Sequence, residues 1–208
     1  MAAFLSDLRN VVVAGFILAL IVLVLFWADA GFVANTYFWQ FIVRWLHVVS
    51  GVMWIGLLWY FNFVSTPTTP RIPEDLRPAL AKYITPSALF WFRWSAMSTI
   101  VLGLILAVLN HYIVLAYSLD IADPGGPFSN PHWLIIGIGM WLGTIMWFNV
   151  WFLIWPNQQR ALNIGNAYPD MTRDARGTAG KKAGMFSRIN TLLSIPMLFC
   201  MVGASHLP

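Results

Sequence analysis

The stretch RWLHVVSGVMWIGLLWYFNFV, Arg44 to Val64, is apolar enough to cross a membrane, yet it carries an arginine and a histidine one helical turn apart. A helix needs about 20 apolar residues to cross about 30 Å of hydrocarbon. Runs of that kind fall near residues 10–28, 38–64, 88–117, 132–155 and 186–205. The sequence therefore predicts an all-α integral membrane protein in which residues 1–208 form one bundle domain of five transmembrane helices.

Composition agrees with a membrane protein and excludes several other classes. Hydrophobic residues make up 59% of the chain and charged residues 10%, whereas soluble domains have about 25% charged residues. In a membrane protein, a net charge of +4 is explained first by the basic residues that set the orientation of the helices. No nucleic-acid partner is therefore expected. The sequence contains no nucleophile elbow, phosphate-binding glycine loop or zinc signature, which leaves hydrolytic and nucleotide chemistry unsupported.

The basic residues cluster in alternate loops. Most of them fall in three places: before the first apolar run, in or beside the loop between the second and third runs, and in or beside the loop between the fourth and fifth runs. These residues are Arg9, Arg71, Arg77, Lys82, Arg93, Arg160, Arg173, Arg176, Lys181, Lys182 and Arg188. The positive-inside rule predicts a cytoplasmic amino terminus and an outer carboxyl terminus, in a multi-pass protein of the bacterial inner membrane. The polar, glycine-containing segment near residues 157–185 is predicted to be a cytoplasmic loop that forms a mobile surface or a docking site.

Two parts of the chain repeat. MWIGLLWYFN, residues 53–62, aligns with MWLGTIMWFN, residues 140–149, at an offset of 87 residues. This similarity predicts that helices 2–3 and 4–5 are duplicated hairpins, with Asn62 and Asn149 as paired polar positions.

The helices that follow share a spacing as well. Arg93 precedes His111 by 18 residues, and Arg188 precedes His206 by the same distance. Eighteen residues make about five turns and about 27 Å of rise, so each pair lies on one helix face at opposite sides of the bilayer. The simplest role of the two arginines is to reach lipid headgroups at the cytoplasmic side.

All four histidines are predicted to lie toward the outer side. His47 is about nine residues into its helix, on the order of 14 Å deep. Placing an ionisable group at such a depth costs free energy, which indicates a functional role. Polar and small residues follow three- and four-residue steps along the same helix: Gln40, Arg44, His47, Gly51, Trp54, Leu58, Asn62 and Ser65. We expect this face to point into the bundle.

Haem b is the cofactor that best matches this face. A neutral imidazole is a haem ligand, so His47 is predicted as one axial ligand and His111 as the other. Gly51, one turn from His47, would leave room for the porphyrin, and Arg44 could pair with propionates or an anionic substrate. The haem would be held non-covalently, because the chain has a single cysteine and no CxxCH motif.

Other arrangements stay open at this stage. His132 and His206 could ligate a second haem, or both could be interfacial side chains. His47 could merely join two helices through a hydrogen bond, or bind another metal. The predicted helices contain no Asp or Glu, which argues against a carboxylate-rich metal site.

Two stretches, Arg44–Pro70 and Trp141–Arg160, resemble the membrane domain of the bacterial membrane-bound urate oxidase (urate hydroxylase) family. That resemblance implies oxidation of urate to 5-hydroxyisourate, with electrons passed to a c-type cytochrome domain. Because this sequence has no CxxCH motif, we expect a separate c-type cytochrome to dock at the outer face. The pattern H-x-x-S-x-x-x-W-x-G, His47–Gly56, is also similar to haem-binding membrane protoporphyrinogen oxidase and to copper-resistance membrane domains.

The expected function is a haem-b-containing membrane oxidoreductase or electron-transfer subunit. If urate is the substrate, Arg44, Trp54 and Asn62 are the predicted substrate-binding residues. The main alternative is a non-catalytic membrane subunit that packs in a larger respiratory or photosynthetic complex. A transporter built on the repeated hairpins is a weaker alternative, because only Pro196 interrupts a predicted helix.

Overall fold

A computed structural model of the chain describes residues 2–27 and 35–206. This part contains no β-strand and five long helices: α1 Leu8–Trp27, α2 Thr36–Trp59, α3 Thr85–Leu109, α4 Pro131–Phe148 and α5 Arg173–Gly203. Each lies in a span long and apolar enough to cross a membrane, so the all-helical class and the five predicted helices are confirmed for the described residues. Residue 28, the predicted end of the first helix, lies outside them.

The chain divides into two compact units, Met1–Trp39 and Gln40–Pro208. In the first unit, α1 follows a short helix, Ala2–Leu5. The Asp7 carboxylate accepts a hydrogen bond from the Arg9 amide at 2.9 Å, which satisfies one of the N–H groups left without a partner at a helix start. From Val11 onward α1 is apolar on all faces, as expected of a helix that lies in lipid.

Shorter helical segments extend or connect the long helices. The α-helical and 3₁₀ segments are Thr66–Thr68, Thr69–Arg71, Arg77–Ala79, Ile113–Tyr117, Trp155–Leu162 and Ile164–Asn166. Three described segments are π-helix: Tyr60–Ser65, Leu80–Ile84 and Asn149–Ile154. With these extensions, α2 belongs to a continuous span of 36 residues and α4 to one of 32.

Each π-helical segment ends two residues before a proline: Pro67, Pro86 or Pro156. The amide of the residue before the proline donates to the carbonyl five residues back, as Thr66 does to Phe61. A proline has no N–H and clashes with the carbonyl four residues earlier, so the wider turn keeps the span continuous across it. The first π segment follows α2 and the third follows α4, an agreement that favours the predicted duplication, which remains a prediction.

Contacts within the second unit show neighbouring helices running in opposite directions. Gln40 near the start of α2 donates to the Leu109 carbonyl at the end of α3, at 2.9 Å. His132 at the start of α4 is hydrogen bonded to the Ala204 carbonyl just after α5. Asn62, beyond α2, donates at 2.8 Å to Ser187, early in α5. The start of α2 thus lies at the same end of the helices as the end of α3, and α4 and α5 are related likewise.

The core of this unit lies where α2, α3, α5 and the span containing α4 meet, and it contains the buried residues Trp54, Leu58, Phe92, Met146 and Val150. Hydrogen bonds between buried amides cross it. Asn149 donates to the Asn190 oxygen at 2.8 Å, and Asn190 donates to the Met146 carbonyl at 2.9 Å. In hydrocarbon such pairs hold helices together because an unpaired amide has no water to bind.

The third apolar run ends earlier as a helix than its composition predicts. The Asn110 side chain donates to the Leu106 carbonyl at 2.7 Å, and His111 adopts a left-handed conformation with φ of 59°. This breaks the run into α3 and a short helix, Ile113–Tyr117, which packs on α4. At Gly137 of α4, a Cβ atom would clash with the Ala116 carbonyl oxygen, so only a glycine permits this approach.

The segment predicted as a mobile surface, residues 157–185, is largely helical. It contains most of Trp155–Leu162 and the first turns of α5, which begins at Arg173. Thr172 accepts a hydrogen bond from the Ala175 amide at 3.2 Å and so caps that start. The predicted loop is therefore mostly helix, because polar residues reduce the hydropathy of a segment without breaking its helix, and a mobile surface or docking site here stays a prediction.

Candidate functional site

A cavity of about 810 Å³ lies between α2, α3, α4 and α5 in the second unit. Apolar residues and glycines form most of its wall, and the polar groups are few: Arg44, His47, Thr99, Asn110, Tyr112, Tyr117 and His132 among them. A largely apolar cavity with a few converging polar groups is the usual form of a small-molecule or cofactor site.

His47 is held at the α3 wall of this cavity. Its Nδ1 lies 2.8 Å from the Thr99 carbonyl oxygen. Because a carbonyl oxygen only accepts, Nδ1 carries the proton, and in the neutral ring Nε2 keeps its lone pair. A Cβ atom at Gly103 would approach His47 Cε1 to 2.9 Å, so α3 accommodates the imidazole because that residue is a glycine.

His132 is positioned in a similar way at the start of α4. Asn130 caps α4 by accepting a hydrogen bond from the His132 amide at 3.0 Å. The imidazole Nδ1 is hydrogen bonded to the Ala204 carbonyl, and the ring meets Trp133 edge to face with centroids 4.5 Å apart. The cavity therefore has two imidazoles in its wall, each held through Nδ1 by a backbone carbonyl.

Tyr112 brings an aromatic face and a charge interaction to the same cavity. Its ring stacks on Trp133 at a centroid distance of 5.5 Å and an angle of 27°. Burial raises the pKa of the Tyr112 phenol, and the positive charge of Arg44 opposes part of that shift. The phenol consequently stays protonated at neutral pH and can donate a hydrogen bond.

Trp54 contributes a buried donor without an acceptor. The side chain is 1% exposed and lines the cavity, and its indole N–H has no hydrogen-bond partner within the described residues. Leaving such a group unsatisfied costs about 1–3 kcal/mol. By contrast, the indole of Trp59 donates to Ser194 at 3.0 Å. A ligand with an acceptor atom near Trp54 would recover that free energy.

The cavity brings together five of the residues singled out from the sequence: Arg44, His47, Gly51, Trp54 and His132. At Gly51, a Cβ atom would lie 3.8 Å from the Thr99 side chain, an ordinary contact. The glycine that helix packing requires is Gly103 instead.

Three other predicted site residues lie apart from this cavity. His111 is exposed in the left-handed turn after α3 and is absent from the lining. His206 is exposed and bonded through Nδ1 to the Val202 carbonyl at 2.9 Å. The Asn62 amide donates to the Leu58 carbonyl and to Ser187, so it joins α2 to α5. The predicted His47–His111 ligand pair is therefore not assembled at one cavity.

Sequence reasoning missed Thr99, Gly103 and Tyr112. Ser95, Thr99 and Gly103 recur at four-residue steps along α3, a pattern of small residues that favours close helix approach in membranes and could have identified this wall. Tyr112 could not have been found this way, because its placement follows from the turn at His111.

Comparison with known proteins supports part of the resemblance. Residues 128–208 match the family model described as urate oxidase N-terminal. The match covers α4 and α5, with His132 and the Asn149–Asn190 contact, and excludes α2 with Arg44 and His47. Neither the curated proteins nor the solved structures gave a significant match. The carboxyl-terminal part of this chain is therefore similar to the amino-terminal region of urate oxidases of that family.

Proposed function

We propose that the cavity binds haem b and that the protein is a membrane oxidoreductase or electron-transfer subunit. The observation that carries this proposal is the His47 imidazole, held by the Thr99 carbonyl through Nδ1 at 2.8 Å in the wall of a cavity of about 810 Å³. Histidines that ligate metals are usually fixed through their other nitrogen in this way. Bound haem would supply one-electron transfer.

The wall of the cavity fits a porphyrin in its chemistry. Its largely apolar residues would exclude water from a flat macrocycle, and Arg44 would pair with carboxylates such as the propionates. No group of three or more His, Cys, Asp or Glu side chains within the described residues could hold a bare metal ion, but haem iron needs only one or two ligands. His132 is the second imidazole in the wall, and His111 stays a sequence-based prediction.

Urate is the substrate we propose to test first, because of the similarity to the urate oxidase N-terminal family. In this scheme Arg44 would pair with the urate anion instead of a propionate, and the unpaired indole N–H of Trp54 would donate to a carbonyl oxygen of urate. Nε2 of His132 would accept a proton if His132 does not ligate the haem iron. Electrons would leave to a c-type cytochrome or a larger membrane complex at the predicted outer face.

A reduced-minus-oxidised optical spectrum of the detergent-purified protein, with a pyridine haemochrome assay for stoichiometry, tests the cofactor. We expect a b-type spectrum with at least one haem per chain. If it is present, urate consumption should be coupled to reduction of an added c-type cytochrome. Absence of haem in protein expressed with excess haem precursor would refute the proposal and favour a non-catalytic subunit of a larger complex.

A further inference from the structure

We infer a second binding site, for the headgroup of an anionic phospholipid, where Arg93 of α3 meets Trp151 and Trp155 beyond α4. The guanidinium carbon of Arg93 lies 3.3 Å from the centroid of the Trp155 ring and 5.7 Å from that of Trp151. Stacking on an indole fixes the plane of a guanidinium and leaves its N–H groups directed outward along the edge. Neither this arginine nor these tryptophans line the haem-sized cavity.

Two hydrogen-bond donors, on Arg93 and Trp151, lie together here without an acceptor in the described residues, and a third lies one turn earlier on Trp147. Nε of Arg93 and the indole nitrogens of Trp151 and Trp147 are buried and have no hydrogen-bond partner in the part of the chain that the structure describes. Trp147, Trp151 and Trp155 follow one another at four-residue steps. Buried donors without partners are rare in folded proteins, and a ligand rich in acceptor oxygens would satisfy them.

No acidic side chain in the described part of the chain forms an ion pair with this arginine. Within the described residues, the only ion pair joins Arg77 and Glu74 at 3.6 Å, and the Arg93 guanidinium contacts the rings of Trp151 and Trp155. An arginine inside a membrane-spanning segment normally pairs with an anion or reaches the interface. Phosphate oxygens suit the planar donor edge of a guanidinium particularly well.

The surroundings favour a lipid as the source of that phosphate. Arg93 lies about two turns into α3, and its neighbours Phe90, Trp91 and Trp94 are large, exposed and apolar, which suits acyl chains. One turn beyond Trp155, the Gln158 side-chain oxygen is buried and has no hydrogen-bond donor among the residues that the structure describes. A headgroup that joins a phosphate to hydroxyl groups, as in phosphatidylglycerol, would supply both the acceptors and the donor.

The test measures lipid preference by native mass spectrometry of the delipidated full chain, incubated with equal amounts of phosphatidylglycerol and phosphatidylcholine. We expect the wild type to retain phosphatidylglycerol preferentially and Arg93→Gln to lose that preference by about tenfold, the change expected when a charge-assisted hydrogen bond is removed. Arg188→Gln is the matched control. It removes the same charge at the corresponding position of the predicted repeat, where the arginine is exposed and the structure shows no ring contact.

A second variant protects the test against misfolding of Arg93→Gln. Trp155→Leu keeps the charge but removes the stacking surface, and we expect it to weaken the preference several-fold. Equal phosphatidylglycerol retention by the wild type, Arg93→Gln and Trp155→Leu would overturn the proposal, as would an equal loss in Arg188→Gln. If millimolar inorganic phosphate displaces the lipid from the wild type, the site is selective for soluble phosphate and the lipid assignment fails.

Discussion

A Cβ atom on Gly103 would lie 2.9 Å from Cε1 of His47, so α3 makes room for this imidazole by the absence of one methyl group. On the same helix, one turn earlier, the Thr99 carbonyl accepts a hydrogen bond from the ring N–H of His47. Two positions of α3 therefore fix where the imidazole lies and which nitrogen bears the proton. The site depends on a helix that carries no ionisable group at the cavity.

Gly103→Ala should disturb the candidate site more than Gly51→Ala does. The added methyl group would push against the His47 ring, and overpacking of this kind costs about 1–3 kcal/mol. At Gly51 the nearest atom would be 3.8 Å away, so the alanine should be neutral or slightly stabilising through its better helix propensity. Unfolding in mixed micelles and haem content per chain measure the two effects. Equal behaviour of the two variants would contradict the packing role of Gly103.

His47→Ala should abolish haem binding and leave the helical content unchanged, because the imidazole is the proposed ligand and contributes little to the apolar core. His111→Ala is the matched control, since that histidine is exposed and lies outside the cavity wall. The pyridine haemochrome assay, with circular dichroism for the fold, distinguishes them. Haem loss in His111→Ala with retention in His47→Ala would instead support ligation by the exposed histidine.

His132→Ala distinguishes two ligand schemes. If His132 is the second axial ligand, its removal should change the low-spin spectrum to a high-spin one while part of the haem is retained through His47. An unchanged spectrum would exclude His132 and leave the predicted His111 as the candidate. Electron paramagnetic resonance of the oxidised protein is the measurement, with His206→Ala as the control at an exposed site.

Asn190→Ala should destabilise the bundle by about 1–2 kcal/mol, the range found for hydrogen bonds between membrane helices. The substitution removes the bond to the Met146 carbonyl and leaves the Asn149 amide without its acceptor. Unfolding in sodium dodecyl sulfate followed by tryptophan fluorescence gives the change in free energy. Thr191→Ala is the control, because its hydroxyl bonds only within its own helix, to Ser187. An equal effect of the two variants would rule out a special role for the amide pair.

Gly137→Ala should displace the short helix Ile113–Tyr117 from α4, because the new methyl group would clash with the Ala116 carbonyl oxygen. We expect faster hydrogen exchange and proteolysis across residues 110–130. Gly184→Ala in α5 meets no atom within 4 Å and serves as the control. Unchanged protection of the loop in Gly137→Ala would show that the close approach is not needed to hold it.

Much of the fold could be predicted because each membrane helix satisfies its own backbone. Hydrocarbon offers no partner to an amide or a carbonyl, so an apolar run of sufficient length becomes a helix almost regardless of its neighbours. The runs that became α2 and α4 illustrate this. The predicted helix boundaries were wrong where hydropathy is a poor guide. At His111 a left-handed turn ends α3 inside an apolar run. At Arg173 a polar segment already forms the first turns of α5.

The sequence by itself determined the helical class, the number of membrane-length helices and the polar face of α2 with Arg44 and His47, because these depend on apolar length and on periodicity along one helix. Only the tertiary structure decided that His132, rather than His111, shares the cavity with His47, and that Gly103 and Thr99 of α3 hold the ring. Those contacts depend on the turn after α3 and on how closely α2 and α3 approach each other. Steric repulsion between individual atoms, such as a Cβ at Gly103 and the His47 ring, limits that approach.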